Sequence, residues 1–297
     1  MKEVKPNKSF LILGAVDIGS NAARILIKSV DKKDGKQHMK KLQFLRIPLR
    51  LGFDVFGKGE IGIMREKMLL RAMKIFRQLL LIYNVDDYRI CATSAFRDAR
   101  NGKKVLRYIK KETKMDIEII TGQEEARIIR DNYPGTGNLL YMDVGGGSTE
   151  LSLVCEGQLV DSRSFNIGTI RMLDGKVTPE MLDEMRVQVR ELTHGMDNIH
   201  IIGSVGNINK LYRLSPKVGR KKEELSLTAL RNLYSKLSPL TPKERMERYD
   251  LRESRADVIV PAAQLFIIVG EETGCDKYIV PNVGLADGII NELASKH

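Results

Sequence analysis

Apolar residues in this chain come in short runs separated by polar turns. The first run, FLILGAV over 10–16, ends at Asp17 and a tight turn, Ile18-Gly19-Ser20-Asn21. A second run, ARILIKSV, follows at once, and a turn-rich DKKDGKQ separates it from a third extended stretch over 39–49. Such runs, bounded by Gly, Asn and Asp, predict strands. The same opening recurs in the second half. NLLYM leads to Asp143 and the turn Val144-Gly145-Gly146-Gly147-Ser148-Thr149. Residues 150–165 then predict two strands joined at Glu156-Gly157. Each half therefore begins strand, glycine turn, strand, turn, strand.

Helix and strand patterns alternate after each opening. Apolar residues at three- and four-residue steps predict one long helix over 59–84, followed by a strand at 88–93 and a helix over 102–113. A strand at 116–120 and a helix over 121–133 complete the first half. In the second half, Thr178-Pro179 and the later Gly195 frame a helix, as start and stop signals do. A strand at 198–203, helices through most of 225–273, a strand at 277–281 and a final helix over 284–294 follow. Tyr133-Pro134-Gly135-Thr136-Gly137 breaks the pattern and marks the division into 1–132 and 133–297. An antiparallel three-strand opening followed by alternating helices and strands is the α/β layout of ribonuclease H-like domains. Two copies side by side give the actin-like ATPase architecture, with an interdomain cleft, an expectation that rests on fold analogy.

Composition narrows the function. A length of 297 residues suffices for two ordinary domains. No run approaches the ~20 apolar residues of a membrane span, and the apolar segment near the start reads as a first strand and not a secretory signal. Cys91, Cys155 and Cys275 are far apart and odd in number, which argues against a disulfide framework or zinc site and for a cytoplasmic location. The net charge of +11 calls for a polyanionic partner or substrate. The densest basic cluster is Lys217, Arg220, Lys221 and Lys222, which also reads as a solvated loop. Aromatics make up 6% and tryptophan is absent, so base stacking on nucleic acid is not expected.

Glycine after a strand-ending aspartate lets backbone N–H groups approach an anion. Ser20 and Ser148 add hydroxyl donors. Asp17 and Asp143 stand too close to such an anion to bind it, and suit a cation or its water shell; Mg²⁺ keeps several waters and needs few carboxylates. Neither loop carries the ending of a phosphate-binding P-loop, and neither leads into a helix as a dinucleotide fingerprint does. Alone, Asp17 to Asn21 is an ordinary glycine hairpin; its repetition favours two phosphate loops. Thr121-Gly122-Gln123-Glu124 fits a capping box, which gives Glu124 a structural role and leaves Glu125 without one. Glu125 in a first helical turn also suits the helix dipole. Glu150 leaves the second loop, where it either orients water and metal or faces solvent. Arg97 follows a strand end; its planar fork suits phosphate, and a surface helix position suits it equally.

Together these motifs resemble the exopolyphosphatase and guanosine pentaphosphate phosphatase (Ppx/GppA) family of the actin-like ATPase superfamily. The similar segments are Val16 to Asn21, Ala92 to Ala99, Thr121 to Arg127, Asp143 to Glu150, Arg255 to Ala262 and Gly284 to Gly288, in order along nearly the whole chain. The resemblance implies a hydrolase that releases terminal phosphate from polyphosphate or guanosine pentaphosphate. It implies Glu125 as general base, with Asp143 and Glu150 holding Mg²⁺ and the attacking water. Gly19, Ser20, Asn21, Gly145, Gly146, Gly147 and Ser148 would cradle phosphates, and Arg97 would grip one. Homodimers are usual in the family, relatives of this length lack the C-terminal helical domains of longer ones, and the segment 284–295 is expected to pack back on the first domain. Ala22 stands where a hydroxyl residue is common, Asn207 where a threonine is, and Ala286 where an arginine is. The region around Asn207 touches the nucleoside in nucleotide-binding cousins. A competing reading is a nucleotide-binding actin-like switch without significant hydrolase activity, which would not need Glu125; a small-molecule kinase would need an acceptor pocket.

Overall fold

The computed structural model describes residues 10–33, 36–132, 135–204, 206–216, 223–281 and 284–297. The basic cluster at 217–222 and Tyr133-Pro134 lie outside the described residues.

Two mixed sheets form the frame. In the first, β1 (Phe10–Ile18), β2 (Ala22–Lys33) and β3 (Lys36–Pro48) are antiparallel neighbours. Two parallel strands extend β1 on its other side, β4 (Asp87–Ala92) and then β5 (Glu118–Ile119). The second sheet repeats this order. β6 (Asn138–Val144), β7 (Thr149–Cys155) and β8 (Gln158–Phe165) are antiparallel, and β9 (His200–Ser204) lies parallel to β6. A short β10 (Glu224–Ser226) pairs with β11 (Lys277–Ile279) at the far edge. These are two ribonuclease H-like sheets, the α/β actin-like architecture.

The central strands β1 and β6 read as continuous apolar runs because both faces are covered. On β1, Ile12, Val16 and Ile18 pack into a core with α1 (Leu51–Lys58), α2 (Ile63–Ile82), α3 (Ser94–Asp98) and α4 (Gly102–Thr113). Leu13 and Ala15 face the other way, against α5 (Gly122–Asp131) and the last helix, as the period-2 alternation of a strand requires. In the second half α6 (Thr169–Leu173), α7 (Pro179–Thr193), α8 (Gly206–Leu214), α9 (Leu227–Leu237) and α10 (Pro242–Tyr249) follow in chain order. α11 (Glu253–Ala256) and α12 (Ile259–Glu272) precede β11. The final helix α13 (Leu285–Lys296) lies on β1 and β2 and against α5, with Leu285, Ile289 and Leu293 in the first sheet's second core.

The long helix expected over 59–84 is shorter. Gly59 adopts φ 78 and closes α1, which the apolar pattern did not reveal, and α2 begins only at Ile63. The capping box expected at Thr121 is half formed. Thr121 accepts the Glu124 N–H at 3.1 Å, but the Glu124 carboxylate pairs with Arg89 at 2.8 Å instead of returning to the cap.

Candidate active site

The two glycine turns have one design. Gly19 N–H donates to the Ala22 carbonyl at 3.0 Å, and Gly145 N–H donates to the Ser148 carbonyl at 2.9 Å. A short helix pins each turn from below: Gly52 N–H of α1 reaches the Ser20 carbonyl at 2.9 Å, and Ile170 N–H of α6 reaches the Gly146 carbonyl at 2.8 Å. α6 and its entering residue were not read from the sequence. Gly168 is required there, because a Cβ on it would lie 2.5 Å from the carbonyl carbon and oxygen of Gly146. The turns meet: a Cβ on Gly146 would lie 2.9 Å from Ser20 Cβ, and one on Gly147 would lie 2.3 Å from the Phe56 ring. The cleft between them is lined by residues of both turns.

Four carboxylates converge on this cleft: Asp17, Glu125, Asp143 and Glu150. The strand registers explain their arrangement. Asp17 pairs across β1–β2 with Arg24, whereas Asp143 pairs across β6–β7 with Glu150. Asp17 is thus neutralised by a salt bridge to the Arg24 guanidinium, while the second hairpin sets two acids opposite each other. Burial, then the Glu150 charge, pushes Asp143 up to about 8. Burial, then Glu150 and Asp143, holds Glu125 well above the ordinary carboxylate range, against the pull of Arg97. Glu150 is also raised by burial, although Ser148 Oγ donates to it at 2.5 Å and Ser164 Oγ at 3.5 Å. Three carboxylates raised by burial, two of them also by neighbouring carboxylates, would be stabilised in their charged form by a bound cation. Among the described residues no three His, Cys, Asp or Glu side chains are close enough to ligate one ion together. Asp143 and Glu150 fit a divalent cation that keeps most of its water shell.

Gly19, Ser20, Asn21, Gly145, Gly146 and Ser148 all line the cleft. Gly147 does not; its α-carbon turns toward Phe56 and Ser94. Ser20 and Ser94 hydroxyls share a hydrogen bond at 2.7 Å, and Asn21 Nδ2 donates to the Ser254 carbonyl at 2.9 Å while its buried Oδ1 has no partner. Arg97 is not on the cleft lining either. Its guanidinium donates to the Ile120 carbonyl at 2.9 Å, and lies 3.3 Å from Glu125 and 3.6 Å from Glu150. It holds the two glutamates. Ala22 lines the cleft, and Asn207 fills its own place with two bonds: Nδ2 to the Val144 carbonyl at 2.9 Å, and Oδ1 from Arg255. Ala286 lines a second, larger cavity beyond the cleft.

The cleft also holds basic residues to which sequence reading gave no role. Arg24, Arg46 and Arg255 line the cleft together. Burial and then the Arg24 and Arg252 charges lower Arg46 to about 10; burial and then Arg46 and Arg24 lower Arg255 to about 9. These arginines lie far apart along the chain, and only the fold gathers them.

Paired ribonuclease H-like halves that present glycine turns to one acidic and basic cleft define an actin-like architecture. The profile of the Ppx/GppA phosphatase family matches residues 29–297. The chain belongs to that family. It is 26% identical to the bifunctional 3-dehydroquinate synthase/phosphatase of Fusobacterium nucleatum, covering 100% of this chain and 49% of that protein, so it spans about half the length of that relative. It is 27% identical to exopolyphosphatase 1 of Mycobacterium tuberculosis over 84% of this chain and 79% of that one. Among solved structures, an exopolyphosphatase from Cytophaga hutchinsonii superposes with a TM-score of 0.78 at 25% identity, over 96% of this chain and 98% of that one.

Proposed function

We propose that the chain is a phosphohydrolase that releases terminal phosphate from phosphoanhydride chains, with inorganic polyphosphate or guanosine pentaphosphate as substrate. The observation that carries this reading is Glu125: an acid raised by burial and by Asp143 and Glu150, on the lining of a cleft between two glycine turns. The raised affinity for a proton is what a general base needs. Backbone N–H groups of Ser20 and Gly146 and the hydroxyls of Ser20 and Ser148 would hold the terminal phosphate, with Gly19 and Gly145 closing the two turns that present them. Glu125 would take a proton from the attacking water, with Arg97 holding Glu125 and Glu150 in position. Asp143 and Glu150 would carry Mg²⁺, which when bound neutralises the charge of the phosphates. Phosphoryl transfer needs little more than such positioning and neutralisation. The same reading divides the chain at 132/133, with 284–295 packed back on the first domain, and treats it as a cytoplasmic homodimer. Among the described residues no helix is long and apolar enough to cross a membrane.

The test is phosphate release with and without Mg²⁺ from long-chain polyphosphate, tripolyphosphate, guanosine pentaphosphate and ATP. Mg²⁺-dependent release from at least one chain substrate is expected. No release from any of them would leave the nucleotide-binding switch as the better reading.

A further inference from the structure

Beyond the cleft lies a basin that shares Asp17, Arg24, Arg46, Gly206, Arg255 and Leu285 with it. Lys41 and Lys210 line its outer part. Its two acids are already engaged, Asp17 by Arg24 and Asp287 by Lys28 at 2.7 Å. Arg46 sits where the two spaces join. It stands directly opposite Arg24 across the β2–β3 ladder, and like charges in that position repel. Its Nη1 donates to Ser254 Oγ at 3.0 Å. Its Nε and Nη2 are buried and have no partner. Those two nitrogens form one edge of the guanidinium plane, the edge that binds two oxygens of a phosphate side by side. A buried donor pair left unmade is costly, so its retention beside two further arginines points to an anion.

We propose that Arg46 anchors a second phosphate subsite next to the one where cleavage occurs, and that the basin holds the following phosphates of the chain. The proposal rests on the phosphohydrolase reading for its direction, cleft first and basin second. It makes Arg46 a specificity-determining residue. A single orthophosphate would use the glycine turns, whereas a chain would also need Arg46. The unpaired guanidinium edge, together with Arg24 and Arg255, matches consecutive phosphate groups whether or not a nucleoside follows them.

Calorimetric titration of the metal-free protein with sodium tripolyphosphate, GTP and orthophosphate tests this without relying on turnover. Arg46→Gln is expected to weaken tripolyphosphate and GTP on the order of 10- to 100-fold, because two charge-assisted hydrogen bonds are lost. Orthophosphate should change less than about twofold, and Arg46→Lys, which keeps the charge without the fork, should fall between. Tripolyphosphate binding that is undetectable in the wild type or unchanged in Arg46→Gln would overturn the proposal. So would an equal loss for orthophosphate, or GTP binding indifferent to Arg46. If Arg46→Gln fails to fold, Lys41→Gln at the exposed rim replaces it. A loss of roughly threefold for tripolyphosphate is then expected, as for an exposed charge, and no loss would count against the basin. Binding that follows these expectations in a protein without turnover would sink the phosphohydrolase reading alone. Turnover with chain binding indifferent to Arg46 would sink the subsite alone.

Discussion

Asp143 and Glu150 face each other across one hairpin, while the matching places in the other hold Asp17 and Arg24. That single exchange of arginine for glutamate turns a neutral pair into an acidic one. It has a measurable cost in the metal-free protein. Asp143 has an ordinary value of 3.8 and is raised to about 8 in the fold. Between those values the folded state binds more protons than the unfolded state, so stability falls as pH rises from about 4 to about 8. Glu125 and Glu150 are raised too and act in the same direction. Thermal melts in chelator should therefore drop by a few degrees across that window, and millimolar Mg²⁺ at pH 8 should restore the loss. Melting points that rise with pH, or ignore Mg²⁺, would contradict the acidic-pair account. The acids were legible in sequence because each hairpin repeats aspartate, glycine and serine in a fixed order. Arg24, Arg46 and Arg255 were not, because no local pattern links positions in β2, β3 and α11. Arg97 was legible as a site residue, yet its partners are carboxylates, which only the fold could show.

Elements with strong periodicity and clear ends were readable. α4 spans Gly102–Thr113, the segment that the apolar spacing marked, and α7 begins at Pro179 with Thr178 accepting the Met181 N–H at 3.4 Å. α1 and α6 were not readable: at eight and five residues they are too short to show a helical period, although both pin the glycine turns. Two glycines separate packing from propensity. Gly288 of α13 touches α5, and a Cβ there would lie 2.5 Å from the carbonyl oxygen of Ile128, one turn after Glu125. Gly288→Ala should destabilise by ~1–3 kcal/mol and lower activity by shifting α5. Gly57 lies in α1, and a Cβ on it meets nothing within 4 Å. Gly57→Ala should be neutral or stabilise by up to ~1 kcal/mol. Urea unfolding of both variants checks the contrast; equal effects would mean that α13 does not set the position of α5.

The whole molecule places its chemistry on both halves. Glu125 comes from the first sheet's last helix, and Asp143 and Glu150 from the second sheet's first hairpin. Contacts between halves hold them together: Arg171 pairs with Asp98, Arg50 with Asp257, and Ile170 and Val258 enter the first half's core. The repeat of two halves was legible, since each begins with the same hairpin; the shared cleft and the basin behind it were not, because they exist only once the halves meet. A net charge of +11 and a basic basin tie chain binding to salt. Raising salt from 50 to 200 mM should weaken polyphosphate binding roughly tenfold or more, as counterion release requires; a flat response would exclude a multi-phosphate contact. The most direct measurement is single-turnover phosphate release by Glu125→Gln beside wild type, with chain binding measured in parallel. The expected result is a rate lower by ~10²–10⁴-fold with binding retained, the share of catalysis a general base supplies. A near-wild-type rate in that variant would contradict the assignment of Glu125 and with it the proposed hydrolytic site.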